Sequence, residues 1–585
     1  MSHKESSVVD DVYDYIICGG GTSGCVIAAR LAENPATSIL VVEAGASNEA
    51  YPATAIPAAV GQILGTEADW NIKSEPCKEL DNRQLHLARG NLTLKQRFLG
   101  GSSGCNGTLV IRGNRQDYDS WGLEGWGGDE LFRYMSKAES FRNKSWFKAE
   151  EAAHGYDGPL VTTPHDPAPI SSLVLESYQS VGLPFIPDMF STGESAHGCG
   201  HVVRTSYQGT RTLAADYITD SAKKAGISIK TKTYIDRISL EPDSTGAMRA
   251  RGVFLQDTTG QKTYVKARKE IIISAGTYGS PAILLRSGIG SKQEVEKLGI
   301  KSQVDLVGVG KNLMDHLVLL SFYEVSKSAI TNDHLIWHSG AKDKSLAQYK
   351  TDKSGFFSQF PFGTFAFARL DDRLADSKIW QNASRSEGLD PMGLLPTQPH
   401  VEFWNTECYS PKYMLKDFPK DDESAFAMAT EFFAPRSRGE ISLKSTDPTE
   451  NPVVNHNYLE DPLDMLVFSE ACRMANEIAT KGAGTKDIVI RSWPRHRNHH
   501  TFTTREEWVP IIRSNADTCY HPAGTCKMGK ASDSMAVVDE KLKVHGVSGL
   551  RIADASIMPS LIGGHPQMPV YGIAEKAADL IKVDN

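Results

Sequence analysis

The feature that most constrains this chain is a glycine-rich turn near its start. Tyr15-Ile16-Ile17-Cys18 is a short apolar run that stops at Gly19, as a buried parallel strand does. Thr22 and Ser23 then open a stretch that continues through Ala28-Ala29-Arg30-Leu31-Ala32 and reads as a helix. Between strand and helix stand Gly19, Gly21 and Gly24. The first permits a tight turn, the second lets a pyrophosphate approach bare backbone, and the third lets helix and strand pack closely. The helix start then offers unpaired N–H groups and the positive end of its dipole to phosphate. A second apolar strand, Ile39-Leu40-Val41-Val42, ends in Glu43, at the ~20-residue distance where a ribose-binding acid belongs. Strand, glycines, helix, strand and acid in this order predict a dinucleotide site. They do not distinguish NAD from FAD.

With 585 residues the chain exceeds a single core, so two domains are expected. A net charge of −8 argues against a nucleic-acid surface. No apolar run reaches the length of a membrane span. Residues 1–11 are polar and acidic, without the apolar core of a secretory signal, which predicts a cytoplasmic protein. The nine cysteines are odd in number and irregular in spacing, which predicts reduced thiols and no metal site.

Residues 44–90 are irregular and are expected to cover the ligand. The stretch 117–152, rich in Trp and Phe, reads as an amphipathic helix, and 170–182 and 212–225 have helical periodicity. Alternation at 227–230, 252–255 and 264–266 predicts a small antiparallel sheet. The run 269–276 reads as another buried strand ending in glycine, returning to the first sheet. Segments 291–297, 462–479 and 568–582 read as helices, and 537–558 as strand. Residues 330–430 mix charged pieces with aromatic runs and predict a second domain built on a sheet. Most of its aromatics belong to a core. Phe357, Phe360, Phe362 and Trp404 are candidates for a substrate wall.

Two histidines have settings that suggest chemistry. His521 precedes Pro522, and His565 precedes Pro566, so each has a backbone biased to extended form. Imidazole is the side chain best suited to take a proton near neutral pH, and two of them can serve one hydroxyl. His499 and His500, beside Arg495, His496 and Arg497, read as a solvated basic loop rather than a metal site, since adjacent side chains diverge. Leu99-Gly100-Gly101-Ser102-Ser103-Gly104-Cys105-Asn106 is dense enough in small residues to lie against something flat.

Together these segments resemble the glucose–methanol–choline (GMC) flavoprotein oxidoreductases. The resemblance spans nearly the whole chain. It includes the fifteen residues Gly276-Thr277-Tyr278-Gly279-Ser280-Pro281-Ala282-Ile283-Leu284-Leu285-Arg286-Ser287-Gly288-Ile289-Gly290 and the run Val309-Gly310-Lys311-Asn312-Leu313-Met314-Asp315-His316. It implies an α/β fold, with a Rossmann-type FAD-binding domain and an interleaved antiparallel-sheet substrate domain. The FAD domain would take 1–165, 211–318 and 511–585, and the substrate domain 166–210 and 319–510. FAD would be held by Gly19, Gly21, Thr22, Ser23, Gly24 and Glu43 at its ADP half. Ile235 would meet adenine, Asp554 the pyrophosphate and ribityl chain, and Gly101, Ser102, Cys105 and Asn106 the isoalloxazine. Backbone at Gln567 and Met568 would face the flavin N1–O2 edge.

Two positions depart from the family pattern, Gln96 and Cys105. Some members attach FAD through a histidine at the position of Cys105, so this thiol is expected beside the dimethylbenzene edge. The resemblance further implies oxidation of a primary alcohol, with aromatic alcohols included in view of the Phe-rich 356–362 segment. His521 would be the base and His565 its partner, with O₂ or another acceptor taking the electrons. The formate-oxidising branch carries another residue at the second histidine position, which counts against formate. The rival class is a flavin-containing lyase or a fatty-acid photodecarboxylase-like enzyme on the same fold.

Overall fold

The computed structural model describes residues 11–62, 68–87, 98–219, 226–244, 246–327, 329–409 and 418–585. Gln96 and nearly all of the polar N-terminal stretch lie outside them. Two large sheets dominate. The first has eight strands, with the main order Ile227–Lys230, Ile39–Val42, Asp11–Cys18, Lys262–Ile273, Met248–Asp257 and Thr233–Pro242. Val547–Ser548 and Leu550–Ile552 add to it. Asp11–Cys18 lies between two parallel partners, with Ile16 opposite both Leu40 and Ile271. Its last four residues are fully or nearly buried, which explains the continuous apolar run.

Lys262–Ile273 does two jobs along its length. It pairs antiparallel with Met248–Asp257 and parallel with Asp11–Cys18 and Leu550–Ile552. The expected return of this strand to the first sheet is therefore present. The small antiparallel sheet expected beside it is not separate. Ile227–Lys230 instead extends the first sheet, pairing in parallel with Ile39–Val42. Alternation marked it as half-exposed, and an edge strand of either sheet has that property.

The second sheet has seven strands and is antiparallel throughout. Its centre is Leu317–Val325, Ala425–Phe432, Val401–Thr406 and Phe362–Ala368, in that order. Helix Pro462–Lys481 covers it, with Phe468 stacked on Phe432 at 5.8 Å. Four further expectations need correction. Of 537–558, only Val547–Ser548 and Leu550–Ile552 are strand. The stretch 117–152 is not one helix: Arg115–Asp119 and Gly128–Ala138 are helical, and Gly122 and Gly125 turn between them at φ 64° and 76°. Of 212–225, only Asp216–Thr219 is helical among the described residues. His499 is not solvated: it is buried, its Nε2 lies 3.0 Å from Phe322 O, and its ring meets Tyr323 and Trp508. Among the described residues no helix is long and apolar enough to cross a membrane.

A buried polar cluster fixes the segment on which His565 rests. His565 N donates to Ile111 O at 3.1 Å. The neighbouring Arg112 donates to Glu139 at 2.7 Å, and His154 spans Glu139 at 3.1 Å and Asp188 at 2.9 Å. Burial alone pushes the His154 pKa down, but hydrogen bonds to Asp188 and Glu139 more than offset it and hold it above 6.5. Glu139 is held below 4.5, because Arg112 and His154 outweigh its burial. A raised histidine stabilises the fold most below its unfolded value and loses that contribution as pH rises through its folded value. A lowered carboxylate loses its contribution as pH falls. The melting-temperature gap between the native protein and His154→Gln should therefore be widest in mild acid. It should narrow as pH rises past 6.5, and thermal melts across that range check it.

Candidate active site

One cavity of ≈ 420 Å³ gathers most of the residues singled out above. Its framework is backbone against backbone. Gly19 has φ 112°, and a Cβ there would lie 2.5 Å from Ser274 O. A Cβ on Gly24 would lie 2.0 Å from Gly19 O. Gly21 differs: a Cβ there meets nothing nearer than Ser274 O at 4.0 Å, so this glycine leaves room on the cavity side. Gly101, at φ 51°, brings the small-residue loop onto Gly21, and Ser102 Oγ lies 3.2 Å from Thr22 Oγ1.

Three helices begin at this cavity. They are α1 (Thr22–Leu31), α2 (Gly276–Arg286) and α3 (Gln567–Asp584), and in none does the N-cap residue's own side chain cap the helix. Thr22 and Ser23 of α1, Thr277 and Tyr278 of α2, and Gln567 of α3 line the wall. Helix N-termini without caps carry unpaired N–H groups and partial positive charge, which suits a pyrophosphate. Glu43 closes one end. It accepts from Gly20 N at 3.0 Å and Gly45 N at 2.8 Å, and its acceptor-only carboxylate suits the hydroxyls of an unphosphorylated ribose.

Ile235 and Tyr234 stand on the same wall. The Ile235 and Asp236 carbonyls accept from Arg286 at 3.1 and 2.8 Å, so this buried arginine pins the strand. Asp554 lines the cavity and accepts from Gly276 N at 2.9 Å, Ser280 Oγ at 2.5 Å and Ser556 N at 2.8 Å. It thereby braces the start of α2. Cys105 and Asn106 reach the cavity too. Asn106 Oδ1 accepts from Thr108 N and Arg211, both at 2.8 Å, which directs the amide N–H₂ to any ligand. Met568 is fully buried and is not part of the wall, whereas Gln567 is.

His521 and His565 share this cavity, with ring centroids 4.5 Å apart. His521 N donates to Asp315 at 2.8 Å, which ties its backbone to the run before Leu317–Val325. His521 Nδ1 lies 3.0 Å from both Glu431 Oε1 and His316 Nδ1. His565 Nε2 lies 2.8 Å from Glu402 Oε2 and 3.6 Å from Glu431 Oε2. Burial pushes the His521 pKa down to about 3, against the opposing pull of Glu431. Asp315 is pushed up to about 6 by its burial, despite hydrogen bonds from Thr518 and Tyr458.

The aromatic candidates are placed differently. Phe357 is buried in a separate cluster with Tyr349, Phe356 and Cys408, so it does not reach the cavity. Phe360, Phe362 and Trp404 form a ring cluster behind the wall, Phe360 edge-on to Phe362 at 4.6 Å and Phe362 tilted on Trp404 at 4.2 Å. Phe362 backs Gly107, and Trp404 Nε1 points to Glu431 at 3.4 Å. Sequence reasoning assigned no role to Asp315, His316, Glu402 or Glu431. Asp315 and His316 had a signal, since they close the run Val309–His316. The two glutamates had none.

Models of GMC oxidoreductases match residues 13–318 and 435–574. The chain belongs to the GMC oxidoreductase family. It is 32% identical over 587 residues to an oxygen-dependent choline dehydrogenase of Burkholderia ambifaria, covering 97% of this chain and 93% of that one. The same figure holds for the Escherichia coli O157:H7 protein of that name, over 581 residues, 97% of this chain and 94% of that one. A variant of Aspergillus oryzae formate oxidase superposes with a TM-score of 0.90 at 28% identity, covering 99% of both chains. Pyridoxine 4-oxidase from Mesorbium loti gives 0.77 at 26%, covering 97% of this chain and 98% of that one. The protein is an FAD-dependent oxidoreductase of a family that acts on alcohol-type donors.

The glycine geometry makes a direct test. Gly21→Val fits the fold, because its side chain has room, but it fills dinucleotide space. The variant should fold, by circular dichroism, and purify without yellow colour. Yellow Gly21→Val protein with full FAD content would place the pyrophosphate elsewhere.

Proposed function

We propose that this enzyme oxidises a primary alcohol to its aldehyde, with His521 as the base. The observation that carries the reading is the pair of buried imidazoles on the cavity wall, 4.5 Å apart. FAD, when bound, supplies the acceptor for the hydride on the alcohol carbon, and O₂ or another acceptor then takes the electrons. The chain's own residues handle the hydroxyl. His521 Nδ1 is engaged with Glu431 and His316, which leaves Nε2 for the substrate. Burial keeps that imidazole neutral at physiological pH, so it is ready to accept a proton. His565, backed by Glu402, orients the hydroxyl or stabilises its developing negative charge.

Trp70, Ile72, Leu87, Phe98 and Leu109 give the cavity apolar wall, which suits an alcohol of modest size with an apolar or aromatic body. The named choline dehydrogenases and oxidases among the relatives support an alcohol-type donor.

Anaerobic stopped-flow against a panel of primary alcohols tests the proposal. Bleaching of the flavin identifies the substrate. His521→Ala should slow flavin reduction by about 10²–10⁴-fold with FAD retained, the usual contribution of a general base. His565→Ala should slow it too, and the double variant should be less than multiplicatively worse, because both rings serve one hydroxyl. With the His521 pKa near 3, the native rate should show no acid limb around 6.5 and should fall only in stronger acid. Reduction of His521→Ala within a few-fold of native would pass the base role to His565.

A further inference from the structure

We propose that Arg211 is a positioning residue for the flavin end of the cavity: it fixes the Asn106 side-chain amide so that its N–H₂ donates to the isoalloxazine. The inference needs bound FAD and does not depend on which histidine is the base. Asn106 Oδ1 lies 2.8 Å from Thr108 N and 2.8 Å from Arg211 Nη1. A backbone N–H and a guanidinium only donate, so the atom between them is the oxygen. A reversed amide would set its N–H₂ against two donors. Among the described residues none accepts from Asn106 Nδ2, and Asn106 lines the cavity. The amide N–H₂ is therefore the group presented to a ligand.

Both anchors of the amide are themselves held. Arg211 is 2% exposed, and its Nη2 donates to Pro57 O at 3.3 Å, so a second segment braces its fork. It ends the short strand Thr210–Arg211, which pairs with Ser206–Tyr207. Thr108 has φ 64°, a costly backbone for a β-branched residue, and Thr205 N donates to Thr108 O at 2.8 Å and holds it there. In that conformation the Thr108 N–H turns back to Asn106 Oδ1. The loop from Gly101 to Gly107 runs between the two ends of the site. A Cβ on Gly101 would lie 2.9 Å from Gly21 Cα, at the glycine turn. Gly107 faces Phe362, which packs on Trp404, whose Nε1 points to Glu431 beside His521. With the glycine turn taking the pyrophosphate, Asn106 stands at the end that the isoalloxazine must fill. That ring system carries carbonyl and ring-nitrogen acceptors whose electron density rises on reduction, so a fixed N–H donor favours the reduced form.

The test is the two-electron reduction potential of the FAD-loaded protein, measured by anaerobic titration against a reference dye and so independent of any alcohol. Arg211→Met should lower the reduction equilibrium constant about tenfold, the usual net contribution of one hydrogen bond, which is ~30 mV. Asn106→Ala should give the same fall. The double variant should fall no further than Asn106→Ala alone, because the guanidinium acts through the amide. A native potential in either single variant overturns the proposal. So does a further fall when Arg211→Met is added to Asn106→Ala, since the guanidinium charge would then act on the flavin directly. If Arg211→Met does not fold, Arg211→Lys takes its place in the same cycle, with a smaller fall that again vanishes in the Asn106→Ala background.

Discussion

The site depends first on a backbone contact that no side chain larger than hydrogen permits. Gly24 sits so close to Gly19 that a Cβ would lie 2.0 Å from the Gly19 carbonyl oxygen, and a Cβ on Gly19 would lie 2.5 Å from Ser274 O. These contacts bring the ends of Asp11–Cys18 and Lys262–Ile273 together, and with them the starts of α1 and α2. Two partial positive charges then meet over one space, where a single helix would offer only one. The start of α3 adds a third from the far end of the chain, held there because His565 rests on Ile111. Cofactor site and catalytic histidines are consequently one construction.

The second sheet sets the electrostatics. Glu402 and Glu431 are direct cross-strand partners on neighbouring antiparallel strands, so their side chains lie on one face. Two like charges in that position, fully buried, would be strongly unfavourable. The structure eases the conflict by driving the two apart: burial and the Glu431 charge raise Glu402, while His565, His521 and His316 hold Glu431 low. The strands that carry the pair are otherwise mostly apolar, from Val401 to Trp404 and from Ala425 to Phe432. A charge survives there because it has partners, and removing one partner leaves the other exposed to the full cost of burial.

This also explains what the sequence let one read. The glycine turn, Glu43 and the two His-Pro segments were legible because their meaning is local: spacing along the chain fixes geometry. The first sheet followed from its buried apolar runs. The glutamates were illegible because a charged residue in an alternating strand reads as solvent-facing, and only the register Glu402 opposite Glu431 makes them a pair. The aromatic run around Phe357 misled for a related reason. Ring content marks burial, and burial in a satellite cluster looks the same in sequence as a place in a pocket wall. His499 was read as solvated from its charged neighbours, while its ring turned inward between Tyr323 and Trp508.

A base with a pKa near 3 is far from the value best matched to neutral pH, so burial that keeps His521 available also makes it weak. Glu431 pulls the other way and limits the shift without cancelling it. Before proton transfer the Glu431 carboxylate lies beside a neutral His521 ring. Afterwards an imidazolium lies 3.0 Å from that anion, a neutral pair. In a low-dielectric site, separating charge is costly and neutralising it is not. The proton that His521 accepts therefore gains attraction from Glu431, although burial still outweighs that gain. Burial thus weakens the base and at the same time strengthens the attraction to Glu431 that partly offsets it.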